Sequence, residues 1–137
     1  MFQLEIVTPE REAYSDEVDS VTIPAVQGEM GVLSSHAPLV TVINPGEVIV
    51  KKGNEEHALA VGEGFVEVLG NQVSVMTDMA LEEDSIDESA VEEALKRAEQ
   101  ALEEGGDGES AEQLAALQAT IQKSLAQLKV KRRRRSI

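Results

Sequence analysis

The chain has no cysteine and no tryptophan, and its 137 residues include one tyrosine and two phenylalanines. Without thiols, disulfides, thiolate metal sites and cysteine nucleophiles are excluded together, and a reducing compartment fits. With aromatics at 2%, namely Phe2, Tyr14 and Phe65, the chain lacks the exposed rings on which nucleic-acid bases stack. Its core has to be built from Val, Ile, Leu, Ala and Met. No apolar run approaches the roughly 20 residues that cross a bilayer, and "MFQLEIVTPE" has neither a basic region nor an apolar signal segment. A soluble chain, or one peripheral to a membrane, is expected.

Charge is abundant but uneven within a formal net of −14. Residues 1 to 84 hold 16 acids and 3 bases, a net of −13, and residues 85 to 112 hold 10 acids and 2 bases, a net of −8. Residues 113 to 137 hold 7 bases and no acid, a net of +7.

Hydrophobic period divides the chain in the same way. Through residue 77 short apolar alternations are cut by turn residues, the pattern of strands. "FQLEIV" puts Phe2, Leu4 and Ile6 on one face, and "EVIVK", "HALAV", "FVEVL" and "QVSVM" repeat the habit. "NPG" at 44 to 46 suits a turn with positive φ at Gly46, and "KGNE" and "LGNQ" place Gly-Asn pairs between strands. Residues 1 to 84 are therefore expected to form an antiparallel β-sandwich.

Residues 85 to 137 read as an α-helical hairpin. Ser85 with Glu88 makes a capping box, and Val91, Leu95, Ala98 and Leu102 form one apolar stripe. "EEGGDGES" ends that helix with Gly105 as its cap, and Ser110 with Gln113 opens the next, striped by Leu114, Leu117, Ile121, Leu125 and Leu128. So short a turn makes the helices antiparallel, which sets the acidic start of one beside the basic end of the other. The stripes are thin and rich in alanine, so the pair is expected to be marginal alone and able to detach.

"GEMGVLSSHAPLV", residues 28 to 40, holds Ser34, Ser35 and His36 and invites a catalytic reading. Adjacent residues of an extended segment point to opposite faces, and no nucleophile-elbow pattern accompanies them. His36 and His57, the only histidines, lie on separate segments, which argues against a metal site. Gly28 and Gly31 instead permit a turn around Glu29 and Met30, and Pro38 holds Ala37 extended, so that a hairpin protrudes with Glu29 near its tip. An exposed acid on a rigid tip suits contact with another protein.

The basic tail "KVKRRRR" at 129 to 135 would suit phosphate, but the remainder of the molecule repels it. Docking on an acidic protein face fits better. "EEDSIDESAVEE" lacks the spacing of a calcium loop. A stand-alone acidic β-sandwich, either an enzyme or a ligand-binding module using His36 or His57, is the alternative reading.

These motifs, "TPERE", "GEMGVLSSHAPLV", "FVEV" with "VSVMTD", and "DSID" in this order, resemble the epsilon subunit of the rotary F-type ATP synthase over the whole chain. The resemblance implies an α+β fold, a sandwich of about ten strands followed by a helical hairpin. It implies a non-catalytic central-stalk subunit that couples rotation to ATP synthesis. The sandwich would bind the gamma subunit and the c-subunit ring, with Glu29 at the ring and His36 at the neighbouring stalk contact. The hairpin would leave the sandwich, extend on the order of 60 Å along gamma at about 1.5 Å per residue, and block ATP hydrolysis. Arg132, Arg133, Arg134 and Arg135 would then meet the alpha and beta subunits of the catalytic head.

Some members of that family bind ATP through "I/L-D-x-x-R-A". Here Ile86 and Asp87 match, but Ala90 replaces the arginine. No cofactor, metal, nucleic acid or membrane insertion is therefore expected, and Asp87 is the one nucleotide candidate. The resemblance further implies peripheral attachment to the cytoplasmic face of a bacterial plasma membrane, or alternatively to a thylakoid membrane.

Overall fold

The computed structural model describes residues 1–33, 37–104 and 111–133. Ten strands come first: β1 (Phe2–Val7), β2 (Glu12–Val18), β3 (Ser20–Ala25), β4 (Gly28–Leu33), β5 (Leu39–Ile43), β6 (Gly46–Lys52), β7 (Glu55–Val61), β8 (Gly64–Leu69), β9 (Gln72–Thr77) and β10 (Ala80–Glu82). A short 3-10 turn, Glu83–Ser85, leads to helices α1 (Glu88–Glu104) and α2 (Ala111–Arg133). The fold is thus a β-sandwich followed by two helices.

The strands hydrogen-bond into one sheet, ordered β10-β7-β6-β3-β5-β8-β9-β1-β2, with β4 paired to β3. Its neighbours are antiparallel except β1 and β9, which run parallel with Leu4 opposite Val73 and Ile6 opposite Val75. The first strand is inserted between β2 and β9, and its parallel pairing with β9 departs from the antiparallel sandwich expected from the sequence.

The alternation is realised as burial. Phe2, Leu4 and Ile6 point inward with at most 2% of their surface exposed, against Ile23, Ile43, Leu59, Val66 and Val75. At about 1.5–3 kcal/mol for each fully buried aliphatic side chain, this layer dominates the stability of the molecule. Gly53 (φ 61°) and Gly70 (φ 58°) take the left-handed conformation in the two expected turns. Gly46 does not: it begins β6, and a Cβ there would lie 2.9 Å from the Pro24 Cβ, so close approach of Pro24 is what requires glycine.

α2 packs over the outer face of β7 and β6, and α1 packs on α2. Ala60, Ile86, Val91, Ala126, Leu128 and Val130 form a second, smaller apolar layer, with Ala58, Met79, Leu81 and Leu95 against it. On α1 the buried residues are Val91 and Ala98, as its stripe predicts. On α2 the stripe predicts wrongly at Leu125, which is 46% exposed, whereas Ser124, Ala126, Leu128 and Val130 are buried. At about 100° per residue those four, with Gln127 and Lys131 between them, cover an arc of roughly 200°. A helix wedged between a partner helix and a sheet buries two faces, and Leu125 lies opposite both. No described helix is long and apolar enough to cross a membrane.

Candidate functional site

One outer face of the sandwich is covered by helices, and another is open. On β5 and β8 the outward side chains are mostly apolar, namely Val40 (66% exposed), Val42 (55%), Phe65 (42%) and Leu69 (57%), with Glu67 opposite Val40 as the one acid among them. Register places Val42 opposite Phe65, Phe65 opposite Met76, and Met76 opposite Val7. An apolar row therefore crosses four strands and runs into a groove of about 390 Å³ whose apolar side is Val7, Pro9, Phe65 and Met76 and whose rim carries Glu63 and Asp78. Contiguous exposed apolar surface of this kind marks a docking site in a chain otherwise rich in acids.

The β3–β4 hairpin stands at the same end. The Val26 amide donates to the Val42 carbonyl at 3.1 Å, and the Asn44 amide donates to the Pro24 carbonyl at 2.9 Å, which ties the hairpin to β5. Its turn is Val26 and Gln27, not Glu29 and Met30 as the glycine spacing suggests, because Gly28 (φ 120°) pairs with Ala25 and starts β4. Glu29 pairs with Pro24 and is exposed, while Met30 packs inward on the core, as strand alternation requires. Ser34, Ser35 and His36 lie outside the described residues.

The second region is the junction of the helices. Asp87, rather than Ser85, caps α1: its Oδ1 accepts the Ala90 amide at 3.1 Å, and its carbonyl accepts the Val91 amide at 3.0 Å. Ser85 is taken up by the 3-10 turn, which moves the helix start two residues on. Arg132, near the end of α2, reaches back to this start. Its Nε donates to Glu88 Oε1 at 2.9 Å, and its guanidinium also bonds the Glu92 carboxylate. Glu88 foremost, then Glu92, raise the guanidinium pKa above its ordinary value. Lys131 Nζ lies 3.3 Å from Glu83 Oε1, and Lys123 Nζ lies 2.6 Å from Asp78 Oδ2. The acidic start of α1 thus meets the basic end of α2. Between them is a cleft of about 520 Å³ lined by Ile86, Asp87, Glu88, Ser89, Glu92 and Lys131.

Neither region holds a catalytic constellation among the described residues. His57 Nε2 is 3.7 Å from Glu55 Oε2, with both side chains largely exposed. Asp16 accepts a 2.9 Å bond from Lys52 across the seam between β2 and β6; that bond lowers the Asp16 pKa and raises that of Lys52. Lys96 and Arg97 are exposed on α1. Arg133 closes α2, while Arg134 and Arg135 lie outside the described residues, as do Gly105 and Ser110.

Family models agree with this two-part layout. "ATP synthase, Delta/Epsilon chain, beta-sandwich domain" matches residues 1–83, and "ATP synthase, Delta/Epsilon chain, long alpha-helix domain" matches residues 84–132. An ATP synthase epsilon chain of Herpetosiphon aurantiacus is 42% identical over 134 residues, covering 98% of this chain and 96% of the relative. The chain belongs to the ATP synthase epsilon-chain family. An epsilon chain of Dehalococcoides mccartyi is 41% identical, with 97% and 94% covered. A chain in the mitochondrial ATP synthase of Euglena gracilis superposes with a TM-score of 0.76 at 22% identity, covering 92% of this chain and 78% of that one.

Among the features of this epsilon chain, the apolar row was not singled out from sequence. Its signal was present: "LVTVI" and "FVEVL" are apolar at consecutive positions, so each strand presents apolar residues to both faces.

Proposed function

We propose that this epsilon chain is a non-catalytic rotor subunit in the central stalk of a proton-driven F-type ATP synthase, docked by its sandwich and regulatory through its helices. The observation that carries the docking role is the open apolar row from Val42 through Phe65 and Met76 to Val7, with an exposed acid, Glu29, at the hairpin beside it. An apolar face flanked by charge suits a permanent protein partner, here the gamma subunit. Glu29 suits the polar loops of the c ring, and His36 the neighbouring stalk contact. Attachment to the cytoplasmic face of a bacterial plasma membrane then comes through these partners.

Residues 1 to 84 act as the docking unit and residues 85 to 137 as the regulatory one. The helix pair restrains ATP hydrolysis when it leaves the sandwich and its basic end meets acidic segments of the alpha and beta subunits. Arg132 then exchanges Glu88 and Glu92 for acids of the catalytic head, together with Arg133, Arg134 and Arg135.

Truncation after residue 84 is the direct experiment. The reassembled enzyme is expected to keep the truncated chain and to hydrolyse ATP faster. An unchanged rate sinks the inhibitory role, and failure to recover gamma in near-equal amount with the full chain sinks the docking role. Neutralising the four arginines together is expected to relieve inhibition more than neutralising Lys96 and Arg97.

A further inference from the structure

The residues at the family's nucleotide motif already have partners within the chain. Asp87 spends Oδ1 on the Ala90 amide, and Ala90 offers no cation. The cleft beside them is large enough for a nucleotide, but among the described residues its charged lining is three carboxylates, Asp87, Glu88 and Glu92, and Lys131. Lys131 is itself engaged, 3.3 Å from the Glu83 carboxylate and 3.3 Å from the Glu83 carbonyl. The cleft is open, and Glu88 and Glu92 already hold the Arg132 guanidinium, so a triphosphate there would meet the Asp87 carboxylate and have to displace existing ion pairs to gain a cation. These residues do not fit ATP.

We infer that the chain's own cations take the place of a nucleotide: Arg132 bridging Glu88 and Glu92 closes α2 on α1, while Lys131 on Glu83 and Lys123 on Asp78 tie α2 to the end of the sandwich, together an electrostatic latch. The distribution of charge is made for it. From residue 113 onward α2 carries no acid, so Lys123, Lys131 and Arg132 find their partners outside their own helix, on Asp78, on the 3-10 turn and on α1. The Arg132 contacts join the last turn of α2 to the first two turns of α1, 44 and 40 residues away in sequence. Opening the pair breaks them together. Beneath them lies a small apolar layer of Ala60, Ile86, Val91, Ala126, Leu128 and Val130, to which the ion pairs add. Because the Arg132 and Glu92 side chains are about half exposed, the latch is screened by salt.

Hydrogen exchange on the isolated full chain tests this, since it reads opening of α2 separately from opening of the sheet. Raising sodium chloride from about 0.05 M to about 0.5 M is expected to lower protection of α2 amides while strand amides keep theirs. Arg132→Gln is expected to lower α2 protection roughly three- to tenfold at low salt and to flatten its salt response. The swap Glu92→Arg with Arg132→Glu restores part of it, and millimolar ATP changes nothing. ATP-dependent gain of α2 protection overturns the inference. So does an Arg132→Gln chain whose protection and salt response match the wild type, with strand amides reporting that each variant is folded. No partner is present, so either failure leaves the stalk role standing, and loss of the stalk role leaves the latch.

Discussion

Gly62 and Gly64 stand two residues apart at the β7–β8 junction, yet an added methyl meets different obstacles at each. At Gly64 a Cβ would lie 1.9 Å from the Met76 carbonyl oxygen and 2.8 Å from the Thr77 Cα, both backbone atoms of the neighbouring strand. Backbone in a paired strand cannot step aside, so Gly64→Ala is expected to cost about 3 kcal/mol in urea denaturation. At Gly62 the nearest atom is Asp78 Oδ1 at 2.0 Å, followed by Lys123 Cε at 3.1 Å. Those are side-chain ends that swing away, and the loss is the Lys123 pair, so Gly62→Ala is expected to cost less than about 1 kcal/mol. Equal costs would mean that the β8–β9 ladder yields more readily than its register suggests. The Asp16 carboxylate gives a residue-scale pH effect. Its folded pKa lies below the unfolded value because Lys52 donates to it, so its contribution is complete above the unfolded pKa of about 3.9 and is lost as pH falls through the folded one. Asp16→Asn is therefore expected to be the less stable protein at pH 7, with the two denaturation midpoints converging below about pH 4.

At the scale of elements, β5 and β8 carry the docking prediction. Val42 is 55% exposed, so Val42→Asp is expected to leave the denaturation midpoint nearly unchanged while weakening capture of gamma at least about tenfold. Normal capture would move the interface to another face. The strands themselves were legible in the sequence, since a period of two with Gly-Asn turns forces Leu4, Val73 and Val75 inward wherever the partners lie. Long-range arrangement was not. Leu125 was misplaced because a heptad stripe assumes one packing partner, and α2 has a helix on one side and a sheet on the other. The turn at Val26 and Gln27 was missed for a different reason: two glycines at 28 and 31 suit a turn locally, but Pro24 pairing with Glu29 sets the register. Ser85 and Asp87 are both good caps, and only the intervening 3-10 turn decides between them.

At the scale of the molecule, the inner core and the helix layer are separate parts. The sandwich encloses Leu4, Ile6, Ile23, Ile43 and Leu59 without exposure, whereas the helix pair adds the smaller layer of Ala60, Val91, Ala126, Leu128 and Val130. None of the inner sandwich residues belongs to that second layer, so a chain ending after residue 84 keeps its whole inner core. It is expected to fold with a cooperative transition and a native strand circular dichroism spectrum. What it loses is the cover over Ala58, Ala60, Met79 and Leu81, a modest apolar area that lowers stability by about 1–3 kcal/mol and promotes self-association. Unfolding of the truncated chain at room temperature would show that the helices are part of the folding core rather than a detachable layer. Retained folding with a small loss would place the energy of docking where a regulatory element needs it: low enough for a change in screening or in partner charge to reverse.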